Sequence, residues 1–201
     1  MKTHDFWAGQ EGVDYIDRNT SPNLLASNLV LFAGILDRFQ IHPSSIFEFG
    51  ANIGLNLDAL RLLLPQATLK CVEINPRAHR ELIKKNYSAH LGDIESFATN
   101  ETFDLVFTKG VLIHIDPSNL LSVYKKMIQF SSRYILLAEY FSRTPTDLRY
   151  HGKENVLFKR DFAAEIIELD STLEVVGSGF SSRLSVFPQD DINWYLLEKK
   201  K

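Results

Sequence analysis

The sequence predicts an α/β protein: a mostly parallel seven-stranded sheet with helices on both faces and an antiparallel last strand. Three observations carry this. Strand-like and helix-like stretches alternate along most of the chain, the pattern of a parallel sheet covered on both sides. The apolar run "SIFEFG" breaks into a glycine turn that opens a helical pattern, the join used in βαβ units. The last two strand-like runs, "LEVVGSGF" and "NWYLLEKK", are joined by "SSRLSVFPQDD", too short for a helical crossover, so this pair should be antiparallel.

Each element has its own signal. Residues 21–40, "SPNLLASNLVLFAGILDRFQ", open with a Ser-Pro cap and carry apolar residues at helical spacing. After "SIFEFG", the helical "GLNLDALRLLL" is stopped by Pro65, which cannot continue a helix. "ATLKCVEI" reads as a strand, and Asn75-Pro76 opens the helix "RAHRELIKKN". A short strand is expected near "SAHLGD", and a clearer one at "FDLVFTKG". "DPSNLLSVYKKMIQF" has an Asp-Pro-Ser cap and helical spacing, and "RYILLAEY" follows as a buried strand. Between Glu139 and Asp161 about twenty residues show no regular period, and loops of this length are usually functional or disordered. Tyr140, Phe141, Tyr150 and Phe158 within it argue for a folded flap over a pocket. The expected organisation is one domain over 1–201. It has an N-terminal lid and helix (1–40), a ligand-binding sheet (44–201) and a flap at 140–160.

Composition narrows the function classes. A chain of 201 residues that is 45% hydrophobic can bury one good core. A formal net charge of -3 gives no global field for nucleic acid or an anionic membrane, so neither partner is expected. The single cysteine, Cys71, has no partner for an internal disulfide and no metal-ligand companions. "MKTHDFWAGQEG" lacks the apolar stretch of a secretory signal, and no run approaches the roughly 20 apolar residues that span a bilayer. A soluble cytoplasmic protein acting on a small molecule is expected. One chain read alone leaves the oligomeric state open.

The turn is the most informative stretch. Glycines between strand and helix present bare amides and let a ligand approach without a side-chain clash. Here the spacing is Gly50-x-Asn52-x-Gly54 after Glu48, a poor match to the Gly-x-Gly-x-x-Gly of dinucleotide sites. Asparagine tolerates left-handed backbone angles better than other non-glycine residues, so the turn survives at Asn52. Roughly twenty residues on, "CVEIN" puts Glu73 at the end of the second strand, where a carboxylate can accept both ribose hydroxyl protons. "LGDIESF" places Asp93 after the third strand. The bland alternatives are helix caps at Glu73 and Asp93 and a strand-edge charge at Asp104.

With "FDLVFTKGVLIHI", this string resembles the class I S-adenosylmethionine-dependent methyltransferases, whose usual first motif is acid-x-Gly-x-Gly-x-Gly, from which Asn52 departs. The segments "FWAGQEGVDYIDRN", "GVLIHIDPSNL", "RYILLAEYFS" and "YHGKENVLFKRDFAAE" are further similar to the small methylases associated with pseudaminic acid biosynthesis, over nearly the whole chain. The resemblance implies the Rossmann-like methyltransferase fold and S-adenosylmethionine as cofactor, with S-adenosylhomocysteine as product. It implies cofactor contacts from Glu48, Gly50, Asn52, Gly54, Glu73, Ile74, Asp93, Ile94, Lys109 and Gly110. Segments before the first strand close over the methionine end in that family, which brings in Tyr15 and Arg18. The implied acceptor is a small polar metabolite, with a sugar or sugar-nucleotide of bacterial surface-glycan biosynthesis as the finer reading.

Methyl transfer from a sulfonium needs alignment above all, and a hydroxyl acceptor also gains from a general base. His114, just past the fourth strand, is the first candidate base, and its alternative is packing against the cofactor. Glu139 and Tyr140 end the fifth strand, beside the expected acceptor. Tyr150, His151, Lys159 and Arg160 are candidate acceptor contacts, or ordinary loop packing and a solvated cap beside Asp161. His4, His42, His79 and His90 show no metal-ligand spacing, and no metal is expected. A tRNA or protein methyltransferase and a catalytically silent cofactor-binding protein remain alternatives. A nicotinamide oxidoreductase ranks last on the glycine spacing.

Overall fold

The computed structural model describes the backbone of residues 3–150 and 153–200, and the side chains of residues 4–148 and 157–200. The main sheet has seven strands: β1 (Ser45–Phe49), β2 (Thr68–Glu73), β3 (Ser88–Leu91), β4 (Phe103–Lys109), β5 (Ser131–Glu139), β8 (Leu173–Ser181) and β9 (Ile192–Lys199). Their spatial order is β3-β2-β1-β4-β5-β9-β8. The first five run parallel, and β9 lies antiparallel between β5 and β8. The sheet is thus the one the sequence predicts. Strand order reverses between β1 and β4, which places a ligand crevice at their carboxyl ends.

The helices form where the caps predict. In α3 (Pro22–Phe39) the Ser21 side chain accepts from the amide of Asn23, with proline at the first turn. In α5 (Pro76–Lys84) Asn75 accepts from Arg77 and Ala78, and in α6 (Pro117–Phe130) Asp116 accepts from Ser118. Helix α4 (Leu55–Leu63) ends before Pro65. Period-two alternation on strands buried on both faces builds two core layers. Leu105 and Phe107 of β4 pack with Phe32 and Ile35 of α3 and Leu57 and Leu60 of α4. Val106, between them, faces the other way, toward Val123, Met127 and Phe130 of α6.

Two segments differ from the expectation. The N-terminal segment forms two short helices, α1 (Thr3–Ala8) and α2 (Gln10–Arg18). The stretch between Glu139 and Asp161 contains an antiparallel ribbon, β6 (Thr146–Tyr150) and β7 (Lys153–Lys159), rather than an aperiodic loop. A two-stranded ribbon is held by its own ladder and needs no regular apolar alternation, so no period shows in its sequence. Asp161 then caps α7 (Phe162–Leu169), accepting from the amide of Ala164. Among the described residues, no helix is long and apolar enough to cross a membrane.

Phe107 is fully buried between two layers. Phe107→Ala should cost about 3–5 kcal/mol of unfolding free energy, read from guanidinium denaturation of the purified protein.

Candidate functional site

A cavity of about 490 Å³ lies across the carboxyl ends of β1, β2 and β4. Helices α1 and α2 roof it, α3 and the β8–β9 loop wall it at one end, and residues 92–95 close the other.

The turn after β1 explains its own sequence. Gly50 has φ +72°, and a Cβ there would come within 2.8 Å of the Val111 side chain. Asn52 is left-handed, with φ +46°, a conformation asparagine tolerates. Its side chain is therefore no obstacle to the turn, and its amide donates to Glu73 Oε2 at 2.6 Å. Gly54 has φ +82°, but a Cβ there would strike Leu82 of α5, so this glycine seats α4 on its neighbour and does not line the cavity.

Glu48 also lies beneath the turn rather than in the cavity. It is fully buried and accepts from Asn56 Nδ2 at 2.6 Å. Burial pushes its carboxyl up to about 8, against the lowering effect of the Asn56 hydrogen bond and the nearby Lys109.

Glu73 does face the cavity from the end of β2. Each oxygen accepts one backbone amide, Oε2 from Asn52 and Oε1 from Asn75 at 2.7 Å. Burial raises its pKa, and those amides work against the rise. Asp93 lines the far end and accepts the Ser96 amide at 2.5 Å and its hydroxyl at 2.9 Å. Partial burial acts to raise its pKa, but the Ser96 hydrogen bonds and His4, 3.8 Å away, leave it lowered. Ile74 and Ile94 line the wall beside these acids.

Lys109 and Gly110 end β4 at the cavity wall. Burial lowers the Lys109 ammonium, while Asp190, Glu48 and Glu139 act to keep it charged. A short 3₁₀ turn, Leu112–His114, follows and carries His114 into the lining, with its ring 4.1 Å from that of Trp7. Glu139 fixes this turn from below. It is 3% exposed and accepts the amides of Val111 at 3.0 Å and Leu112 at 3.1 Å. Burial pushes it up to about 7, against those amides. Glu139 therefore ties down the turn that carries His114 and is absent from the cavity lining.

The remaining sequence candidates divide. Tyr15 lines the cavity and meets Trp7 edge-on at 5.6 Å. Arg18 is exposed at the end of α2 and outside the lining, since its position on the helix points to solvent. Tyr140 is half-buried beside the cavity with the Lys159 ammonium 5.5 Å over its ring, so that lysine is turned toward the tyrosine. Arg160 donates to Glu165 at 2.6 Å, and this internal pair keeps it out of the cavity. His151 and the side chain of Tyr150 lie outside the described residues. Asp104 sits at the opposite end of β4, accepting from the amide and hydroxyl of Ser44.

Sequence reasoning passed over the roof's anchor. Asn75 Nδ2 donates to the Trp7 carbonyl at 3.0 Å, and a Cβ on Gly12 would come within 2.6 Å of that nitrogen. Arg77 grips Asp17 through both amino groups at 3.1 and 2.5 Å. It also missed Asn28, Gln189 and Asp190 in the lining. A polar Asn28 on the apolar face of α3 was the available signal. Among the described residues, no group of three or more His, Cys, Asp or Glu is arranged to hold a metal.

The buried acids give a stability prediction. A carboxyl raised to about 8 in the fold and 4.5 when unfolded holds its proton only in the fold between those values, so stability falls as pH rises through that window. Glu48→Gln removes that titration. Its melting temperature relative to the unmodified protein should climb from pH 5 to about pH 8 and then level off. The variant keeps a shallower slope from Glu139, which is raised to about 7.

No protein-family model and no curated protein matches this sequence. Solved structures do. The chain superposes on a magnesium protoporphyrin IX methyltransferase from Synechocystis with bound S-adenosylmethionine, at TM-score 0.72, 11% identity, and 100% and 98% coverage of the two chains. A 1,6-didemethyltoxoflavin-N1-methyltransferase from Burkholderia thailandensis with bound S-adenosylhomocysteine gives 0.70, 12%, and 99% and 87%. The glycopeptide N-methyltransferase MtfA, complexed with S-adenosylhomocysteine, gives 0.67, 12%, and 87% and 89%. With its strand order, its antiparallel last strand inserted between β5 and β8, and its glycine turn after β1, the chain has the Rossmann-like fold of the class I methyltransferases.

Proposed function

We propose that this protein is an S-adenosylmethionine-dependent methyltransferase that modifies an oxygen or nitrogen of a small polar molecule. The carrying observation is Glu73. It ends β2 in the cavity wall, and its two oxygens are held by the amides of Asn52 and Asn75, while a carboxylate has further acceptor capacity for a ligand. That arrangement suits the two hydroxyls of a ribose. Gly50 lines the crevice in a left-handed conformation, and its missing side chain lets the Val111 side chain pack against the turn. Asp93 would take the adenine amino group, with Ile74 and Ile94 against the ring. Asn52, Lys109 and Gly110 would border the methionine end, and Tyr15 and Trp7 would exclude water above it. The structural neighbours bind S-adenosylmethionine or its product, which supports the same assignment.

When bound, the cofactor supplies a methyl on a positively charged sulfur, so its leaving group is already activated. The chain's part is to align the acceptor and exclude water. His114, held between Trp7 and the turn that Glu139 fixes, would take the proton of a hydroxyl acceptor. Tyr140 would stand beside the acceptor. Likeness in "GVLIHIDPSNL" and neighbouring segments to the pseudaminic acid-associated methylases supports a sugar derivative as that acceptor.

Calorimetric titration should give micromolar binding of S-adenosylmethionine and S-adenosylhomocysteine and none of NAD. Absence of all three overturns the proposal. Glu73→Gln should weaken S-adenosylhomocysteine by about tenfold or more, since an amide nitrogen would then face a backbone N–H. Unchanged affinity would remove Glu73 from the ribose. His114→Ala should lower kcat on a hydroxyl acceptor by about 10²- to 10⁴-fold with S-adenosylhomocysteine affinity retained, and near-normal turnover would exclude it as base.

A further inference from the structure

The cavity has a second end that the cofactor assignment leaves over. Glu73 on β2 and Lys109 on β4 are separated by β1, hence by two strand spacings, or about 10 Å. Beyond Lys109 the wall is made by Asn28 of α3 and by Gln189 and Asp190 of the β8–β9 loop. Asn28 is 4% and Gln189 7% exposed, which is unusual for side-chain amides unless they are bonded. They bond to each other across 161 positions of sequence, Gln189 Nε2 donating to Asn28 Oδ1 at 3.2 Å.

That bond uses one donor and one acceptor. Asn28 Nδ2 and Gln189 Oε1 make no further hydrogen bond among the described residues, yet both side chains line the cavity. The wall therefore offers an N–H donor and a carbonyl acceptor next to one another. Lys109 and Asp190, which attract each other electrostatically, add a second donor and acceptor. Asp190 also faces Tyr140, the residue at the end of β5.

We propose that Asn28, Gln189 and Asp190, with Lys109 at their boundary with the methionine end, form the acceptor subsite, and that it takes a hydroxyl-rich, carbohydrate-type molecule. This rests on the methyltransferase reading above and says which wall selects the acceptor. Vicinal hydroxyls present a donor and an acceptor at neighbouring positions, matching both pairs. An apolar acceptor would cover the remaining Asn28 N–H and Gln189 carbonyl without giving them partners, and sites built this way reject such analogues strongly. Lys159 and Arg160 are engaged elsewhere, over Tyr140 and on Glu165. The Lys109 ammonium is opposed by the charge of Asp190, so this wall presents donors and acceptors side by side and not an uncompensated positive charge.

The test uses the full chain with methyl-labelled S-adenosylmethionine. The probes are free hexoses, N-acetylhexosamines and their nucleoside diphosphate derivatives, set against apolar phenols and alkylamines. Transfer should be confined to the hydroxyl-rich set. Asn28→Leu and Gln189→Met should lower kcat/KM on the best probe by about 10- to 100-fold while leaving the S-adenosylhomocysteine Kd within about twofold. Asp190→Ala, on an exposed loop position where folding is not at stake, should act in the same direction. Equal losses of acceptor use, cofactor affinity and melting temperature in the amide variants would make the pair a structural staple and overturn the subsite. So would unimpaired turnover in all three variants, transfer to the apolar probes, or no transfer to any hydroxyl-rich probe from protein that binds S-adenosylhomocysteine. Failure to bind S-adenosylhomocysteine would instead overturn the methyltransferase reading itself.

Discussion

The Glu73 carboxylate, taking the amides of Asn52 and Asn75, holds the end of β2 to the turn after β1. Much of the crevice depends on that tie. Asn52 is kept in its left-handed conformation with its amide turned inward, and Asn75 is set to cap α5 and to reach the Trp7 carbonyl. The same device recurs on other strands. Glu48 at the end of β1 holds Asn56 of α4, and Glu139 at the end of β5 holds the turn after β4. Buried carboxyl groups are costly without partners, so each is an anchor whose hydrogen bonds offset part of its desolvation. Loops that would otherwise be loose are thereby fixed at the strand ends where a ligand sits.

Position in this cluster separates residues of the same chemical type. Glu73 reaches the cavity because it ends its strand with one face open. Glu48 and Glu139 sit beneath turns that fold over them and work through what those turns carry. A glutamate at a strand end is thus either a contact or a support, depending on which way the pleat points it.

Much of the architecture was legible in the sequence because its signals are local. Ser21-Pro22, Asn75-Pro76 and Asp116-Pro117 each announce a helix start that the structure contains. The run from Gly50 to Gly54 announces the crevice, and Glu73 and Asp93 fall in its lining because strand length alone brings them there. The rest depends on contacts between distant parts of the chain. The Asn28–Gln189 pair spans most of the sequence, and the inward role of Glu139 needs the neighbouring strand to be known. Lys159 and Arg160 are adjacent cations in sequence, but Tyr140 and Glu165 draw them apart. The roof helices are too short for a long apolar stripe: Ile16 packs on Ile53 and Ala78, while Asn75 and the exposed Arg77–Asp17 pair tie the helices down.

Strand β9 carries a consequence for how the crevice is assembled. It lies between β5 and β8 with ladders on both sides, so the outer third of the sheet cannot close until residues 192–199 are in place. The loop holding Gln189 and Asp190 leads directly into that strand, and its grip on α3 closes a very long loop of chain. Contacts of such sequence separation carry a large entropy of closure and form late. Of the two ends of the cavity, the glycine turn and its glutamates can be organised by neighbouring βαβ units early. The opposite wall waits for the whole sheet, so partial unfolding at the β8–β9 side would erase that wall while leaving the nucleotide-type crevice standing.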